Sequence, residues 1–214
     1  MKRKHKIKKL NSETQNEEFH TSLKEARETQ KYGVYVYLDS PDAYKSMVLI
    51  MIGEGEGGLA IHDGDIVAVH KNRTKTTDKL MGILGETALK YGGEKLDCYG
   101  AHLANEYMQL GLLPVGKVKF NLEKADPKWD TKIHGEPDVI AMLLPKRYVR
   151  QDCPTTYEEL EANLPYFDDY DELLLFRDEI LKEIREKNLS YDDALEIIKS
   201  NQLMERKNDP TYPA

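Results

Sequence analysis

The chain has 214 residues, is 40% apolar and 32% charged, and carries a formal net charge of −7. That length supports one full domain of about 120–150 residues with an appendage. No apolar run exceeds the length of Met47–Ile52, far short of the roughly 18 residues a membrane span needs, so the chain reads as soluble with no membrane partner.

The N-terminus MKRKHKIKKL has no apolar segment behind its basic residues, so it does not resemble a secretory leader. Cys98 and Cys153 show no metal-ligand spacing, and both read as free thiols in a reduced cytoplasm. Six of the first nine residues are Lys or Arg. Such an arm attracts phosphate by counterion release, which makes residues 2–9 a candidate nucleic-acid contact; the alternative is a solvated terminus without regular structure. No aromatic residue interleaves with these lysines, so the segment itself offers bases nothing to stack on.

A short helix follows in Asn16–Gly33, where Phe19, Leu23 and Ala26 recur at helical spacing and Gly33 is a stop. Residues 1–31 thus read as a basic arm and short helix, 32–150 as alternating strands and helices, and 151–214 as an acidic helical part beginning near Pro154. Within the middle part, GVYVYLDS (33–40) alternates and predicts a strand. SPDAYKS has Pro41 at a first-turn position, and Met47–Ile52 is a buried strand. Asp63 and Gly64 supply a two-residue type I′ turn between the strands GLAIH and DIVAVH. Leu80, Ile83, Leu84, Thr87, Ala88 and Tyr91 share one helical face, closed by Gly92 and Gly93. KLDCY is a strand, HLANEYMQLG a helix, LPVGKVKF a strand and DVIAMLL a last strand. Antiparallel hairpins followed by strand, helix, strand, helix, strand predict a mixed, mostly antiparallel sheet with flanking helices, an α/β (α+β) fold.

The segments GGLAIHDGDIVAVHKN, GGEKLDCYG, NEYMQLGLLPVGKVKFN and GEPDVIAML resemble a Gcn5-related N-acetyltransferase (GNAT) domain, in particular the divergent GNAT-like proteins of phages and prophages. The most specific piece is Y-x-x-x-G-[FL] at Tyr107–Leu112. The resemblance implies two parallel strands splayed around acyl-CoA, with Tyr107 as the acid that protonates the departing CoA thiolate. Its other reading is a core aromatic packed beside Leu103 and Leu110. The resemblance also implies a phosphate-holding loop with the pattern [RQ]-x-x-G-x-[GA] ahead of a helix. Here that region is RTKTTDKLMG: Arg73 fits the first position, and Thr76 and Asp78 stand where the pattern has glycine. Arg73, Lys75, Thr76, Thr77 and Lys79 are the candidate contacts to acetyl-CoA, and Asp78 also suits a plain helix N-cap. Seven residues before Tyr107, where the pattern has Asn, this chain has Gly100.

His70, at a strand end, is the candidate general base; its other reading is a strand-end histidine facing solvent. Glu54 in the glycine-rich turn and Trp129 in the long polar stretch Asn121–Asp138 are candidates for touching the acceptor, Trp129 alternatively pinning its loop to the sheet edge. Cys98 reads as an apolar filler. In the C-terminal part, Thr155 or Thr156 with Glu158 or Glu159, and Ser190 with Asp193, resemble capping boxes. Leu173, Leu174, Arg177, Ile180, Leu181 and Ile184 form one stripe, and Ala194, Leu195 and Ile198 another. These helices either pack on the domain or serve self-association or a host protein.

No Walker loop, Rossmann fingerprint, HExxH, zinc-finger spacing or G-x-S-x-G element is present. Two functions follow from the resemblance. One is an acetyl-CoA-dependent N-acyltransferase acting on an amine of a small molecule or host protein. The other is an inactive GNAT-shaped module of a phage or mobile element, acting in binding or virion assembly.

Overall fold

The computed structural model describes residues 5–145 and 155–209. Lys2, Arg3, Lys4, Cys153 and Pro154, singled out above, lie outside the described residues. The chain divides into two compact units, residues 1–93 with 126–129, and 94–125 with 130–214. The division falls inside the stretch 32–150 that the sequence reads as one alternating part.

The first unit begins with β1 (Ile7–Leu10) and α1 (Ser12–Glu28). Part of the basic arm is therefore a strand, antiparallel to β2 (Val48–Ile52), with Ile7 opposite Ile52 and Leu10 opposite Leu49. Leu10 supplies the reason: it is the buried anchor of an otherwise lysine-rich segment. Helix α1 starts a turn earlier than its apolar spacing suggests. Asn11 caps it, accepting from the Glu13 N–H at 3.0 Å while Gln15 accepts from the Asn11 N–H at 2.9 Å. Asn16, Phe19, Ser22, Leu23 and Ala26 form its buried face.

β3 (Gly57–His62) and β4 (Asp65–Lys71) form the expected hairpin. Asp63 and Gly64 both have positive φ, 48° and 84°, as a type I′ turn requires. Helix α2 (Met81–Lys90) ends in a Schellman motif, the N–H of Gly93 donating to Ala88 O at 2.9 Å and that of Gly92 to Leu89 O at 3.2 Å. The unit's strand order is β1-β2-β3-β4, antiparallel throughout.

The strand predicted at residues 33–40 is absent. Gly33–Tyr35 is a 3₁₀ turn and the segment then runs extended without a ladder partner. Its alternation has another cause. Val36 and Leu38 pack on the cluster of Phe19, Leu23, Tyr44 and Leu49, while Tyr37 faces out, 66% exposed. Burial on one side gives the strand-like pattern with no sheet neighbour to complete it.

The second unit contains β5 (Lys95–Tyr99), α3 (Gly100–Met108), β6 (Leu113–Val118), the single turn α4 (Thr131–His134) and β7 (Val139–Leu143). After these come α5 (Tyr157–Leu160), the two-residue β8 (Tyr166–Phe167), α6 (Tyr170–Glu186), α7 (Tyr191–Lys199) and α8 (Gln202–Lys207). The order is β5-β7-β6-β8: β7 is antiparallel to both neighbours, and β8 is parallel to β6. The protein is therefore α/β with both strand orientations, as the element pattern predicts. Both capping boxes form, Thr156 with Glu159 and Ser190 with Asp193. The stripes on α6 and α7 are buried within this unit, with Phe176 in place of Leu174. No helix among the described residues is long and apolar enough to cross a membrane.

Candidate active site

The chain passes from β5 into α3 with no loop. Gly100 makes this possible, because its φ of 73° is open to glycine at little cost and its N–H donates to Asp138 O at 2.9 Å. A Cβ there would sit 3.1 Å from Cβ of Pro137. Tyr107 follows on the last turn of α3. Its carbonyl accepts from the N–H groups of Leu110 (2.9 Å) and Leu112 (3.3 Å), and Gly111, at φ 93°, turns the chain into β6. The short helix–glycine–strand passage is thus a C-terminal cap built on the tyrosine's own carbonyl.

The ring of Tyr107 is half-buried, and no hydrogen-bond partner meets its hydroxyl among the described residues. Burial pushes the phenol well above its ordinary range, and Cys98 and Asp97 on β5 push it further. It stays protonated at any working pH, as a proton donor must. Cys98 is buried with Sγ 3.8 Å from the Met142 sulfur, and burial followed by Asp97 raises its thiol, so thiolate chemistry is disfavoured.

A second phenol was not singled out from the sequence. Tyr157, at the start of α5, is buried and pushed up by that burial, then by Glu161, Asp138 and Cys98. Its N–H donates to Oδ1 of Asn105 on α3 at 2.8 Å, and Nδ2 of Asn105 donates to Glu158 at 3.1 Å. Asn105 therefore caps α5 from a neighbouring helix. The only sequence signal for Tyr157 was the adjacent capping box.

In the first unit, Asn72 organises the loop between β4 and α2. It is fully buried, donates to Glu25 at 3.2 Å and accepts from the Thr74 N–H at 3.0 Å. Of the five nominated phosphate contacts, Arg73, Lys75, Thr77 and Lys79 are exposed, and Arg73 and Lys79 meet no carboxylate among the described residues. Lys75 pairs with Glu25 at 2.7 Å. Thr76 is buried, its hydroxyl accepting from the Asp78 N–H at 3.1 Å. Asp78 is not the N-cap of α2; Leu80 holds that position and offers no side-chain bond. The Asp78 carboxylate turns instead to His5 at 3.1 Å, whose other nitrogen meets Glu56 at 2.7 Å. A residue 73 positions upstream thus draws the acid away from the capping position. The start of α2 is left with N–H groups that lack intrahelical partners and a side-chain cap.

His70 does not face solvent. It is buried, its Nδ1 donates to Ala68 O at 3.0 Å, and its Nε2 accepts from the Ser22 hydroxyl at 3.1 Å. Burial pushes its pKa down to about 4. What the ring holds is a β-bulge: the register of β3 with β4 slips between Gly58 and Ala60, and Ala68 sits at φ 53°. An alanine in that region costs about 1–2 kcal/mol, and the His70 bond to its carbonyl opposes that cost.

Trp129 is 8% exposed and stacks on Tyr35, ring centroids 4.8 Å apart at an interplanar angle of 8°. Glu54 projects from the β2–β3 turn and pairs with Lys8 at 3.0 Å, the hydrogen bond and then the charge of Lys8 lowering its carboxyl. Among the described residues, no group of three or more His, Cys, Asp or Glu could hold a metal ion.

No family model matches the chain, and no curated protein matches it. Among solved structures, the solution structure of apo-form YjaB from Escherichia coli is similar, at 11% identity and a TM-score of 0.43, over 66% of this chain and 97% of that one. At that score the likeness assigns neither a family nor an activity.

Proposed function

We propose that the protein is a GNAT-like N-acyltransferase that moves an acetyl group from acetyl-CoA to a primary amine on a small molecule or a protein. One observation carries the reading. The Tyr107 hydroxyl, on the last turn of α3, has no protein partner among the described residues. The amine nitrogen attacks the thioester carbonyl, and the tetrahedral intermediate collapses with loss of the CoA thiolate. The phenol protonates that sulfur, and the amine's proton leaves to water, from which the phenolate is reprotonated. His70 is committed to the bulge at Ala68 and is not the base in this reading.

Calorimetric titration with acetyl-CoA, followed by thiol release in the presence of a panel of primary amines, tests it. Binding is expected in the micromolar range. Tyr107→Phe keeps that binding and lowers kcat by about 10²–10⁴-fold. Absence of heat with millimolar acetyl-CoA overturns the reading.

One feature favours the alternative, a GNAT-shaped module without cofactor chemistry. Thr76 and Asp78 occupy the loop positions that the resemblance fills with glycine, and the buried Thr76 is part of the loop's own bonding. In that case the resemblance to divergent phage-encoded proteins points to a role in binding or virion assembly.

A further inference from the structure

The acyl-transfer reading leaves the basic N-terminus unused, and so does the pair of lysines that the fold brings to one ring. Tyr91 closes α2 at its C-cap. Nζ of Lys9, on β1, stands 5.6 Å from the centroid of the Tyr91 ring, and Nζ of Lys90 stands 5.6 Å from the same centroid. The ammonium groups are therefore at most twice that distance apart. Both lysines are exposed, and neither meets a carboxylate among the described residues. Elsewhere in this unit Lys8, Lys45 and Lys75 pair with Glu54, Asp42 and Glu25. Attraction to a half-exposed ring is weak, and it does not relieve the repulsion between the two cations.

We infer that this surface contacts single-stranded nucleic acid, with Tyr91 as the platform on which a base stacks and Lys9 and Lys90 as phosphate contacts. The surroundings suit an extended polyanion. β1 is an edge strand, Ile7 on it and Lys6 just before it are exposed, and Lys2, Arg3 and Lys4 precede them in the sequence. The sequence shows no aromatic residue among these lysines; the fold supplies one from the far end of α2. An aromatic ring carrying two cations that no carboxylate holds is the combination that single strands use: the ammonium groups over Tyr91 swing to the phosphates as a base takes the ring's face. An acidic peptide would leave the ring unused.

Fluorescence anisotropy of labelled oligo(dT) and oligo(U) 20-mers, titrated with the full chain between 50 and 200 mM salt, tests the inference. Saturable binding is expected, with log K falling linearly in log salt. Lys9→Gln with Lys90→Gln lowers the slope by about 1.4. Tyr91→Leu weakens binding roughly five- to 150-fold and leaves the slope unchanged. Lys45→Gln, elsewhere on the same unit, leaves both unchanged. Circular dichroism confirms that each variant is folded. Three results overturn the proposal: no binding at 50 mM salt, binding indifferent to the three substitutions, or binding to phosphatidylserine vesicles but to neither oligonucleotide. Acetyl-CoA titration of the same Lys9, Lys90 variant should be unaffected, which separates this surface from the acyl-transfer reading.

Discussion

Arg27 on α1 reaches Asp126, 99 positions later in the chain, and the two form an ion pair with side chains only 14% and 11% exposed. The same guanidinium donates from Nε to Gly33 O at 3.2 Å. One side chain therefore fixes both the turn after α1 and the segment Asp126–Trp129, which places Trp129 on Tyr35. Removing one partner of such a pair leaves the other buried without compensation.

Arg27→Ala is accordingly expected to destabilise the first unit by about 3–5 kcal/mol. Arg27→Lys should recover part of that, since an ammonium lacks the planar fork that serves Asp126 and Gly33 together. Trp129 is the sole tryptophan, so its emission reports the effect directly. In native buffer the Arg27→Ala spectrum should shift to the red as the indole leaves Tyr35. An unshifted spectrum with unchanged denaturant midpoint would rule out this role for the pair.

The buried imidazole gives a pH dependence with a defined sign. His70 titrates at about 4 in the folded chain, burial being the main cause. The unfolded chain takes up the proton near the ordinary value of about 6.5. The folded state thus binds fewer protons in that interval, and stability is full above about pH 6.5 and lost as pH falls toward 4. The loss amounts to about 3 kcal/mol. In His70→Gln the amide can still bond to Ala68 O and Ser22 but cannot titrate. The difference between wild type and His70→Gln in urea-derived stability should shrink as pH falls through this window. A constant difference from pH 7 to 4.5 would refute the assignment.

The contrast between what these residues announce and what they conceal is physical. Asp63–Gly64, Gly92–Gly93 and the boxes Thr156/Glu159 and Ser190/Asp193 were legible because each involves local backbone chemistry that few residue types satisfy. The stripes of α6 and α7 were legible because one-sided burial leaves a period. The segment 33–40 misled for the same reason, as alternation reports which side is buried and not whether a strand lies alongside. β8, two residues long, is too short to carry any period. The candidate site was the least legible part. The bulge at Ala68 is not marked by glycine, the partner of Asp78 is His5, and a second cap on α5 comes from Asn105 on another helix. Each of these depends on residues brought together only by the fold.

Gly100 tests whether the direct passage from β5 to α3 depends on its backbone. At φ 73°, with Pro137 only 3.1 Å from a would-be Cβ, Gly100→Ala should cost about 1–2 kcal/mol. Gly100→Asn should cost less, because asparagine tolerates the left-handed region better than alanine does. Thermal unfolding of the two variants should rank them in that order. The opposite ranking would show that the space beside Pro137 governs the position and not the dihedral.

The two capping boxes should differ in weight although their sequences look alike. Ser190 is the N-cap of a nine-residue helix and accepts from the Asp193 N–H at 3.0 Å, while Asp193 accepts from the Ser190 N–H at 2.8 Å. Thr156 serves a four-residue helix whose first N–H, that of Tyr157, is already taken by Asn105. Ser190→Ala should therefore cost about 1 kcal/mol, in the usual range for a lost N-cap, and Thr156→Ala less. Asn105→Ala should exceed Thr156→Ala, since it frees the Tyr157 N–H and the Glu158 carboxylate at once. Denaturant midpoints of the three variants decide the matter: if Thr156→Ala proves the most damaging, α5 is held by its own cap and not by α3.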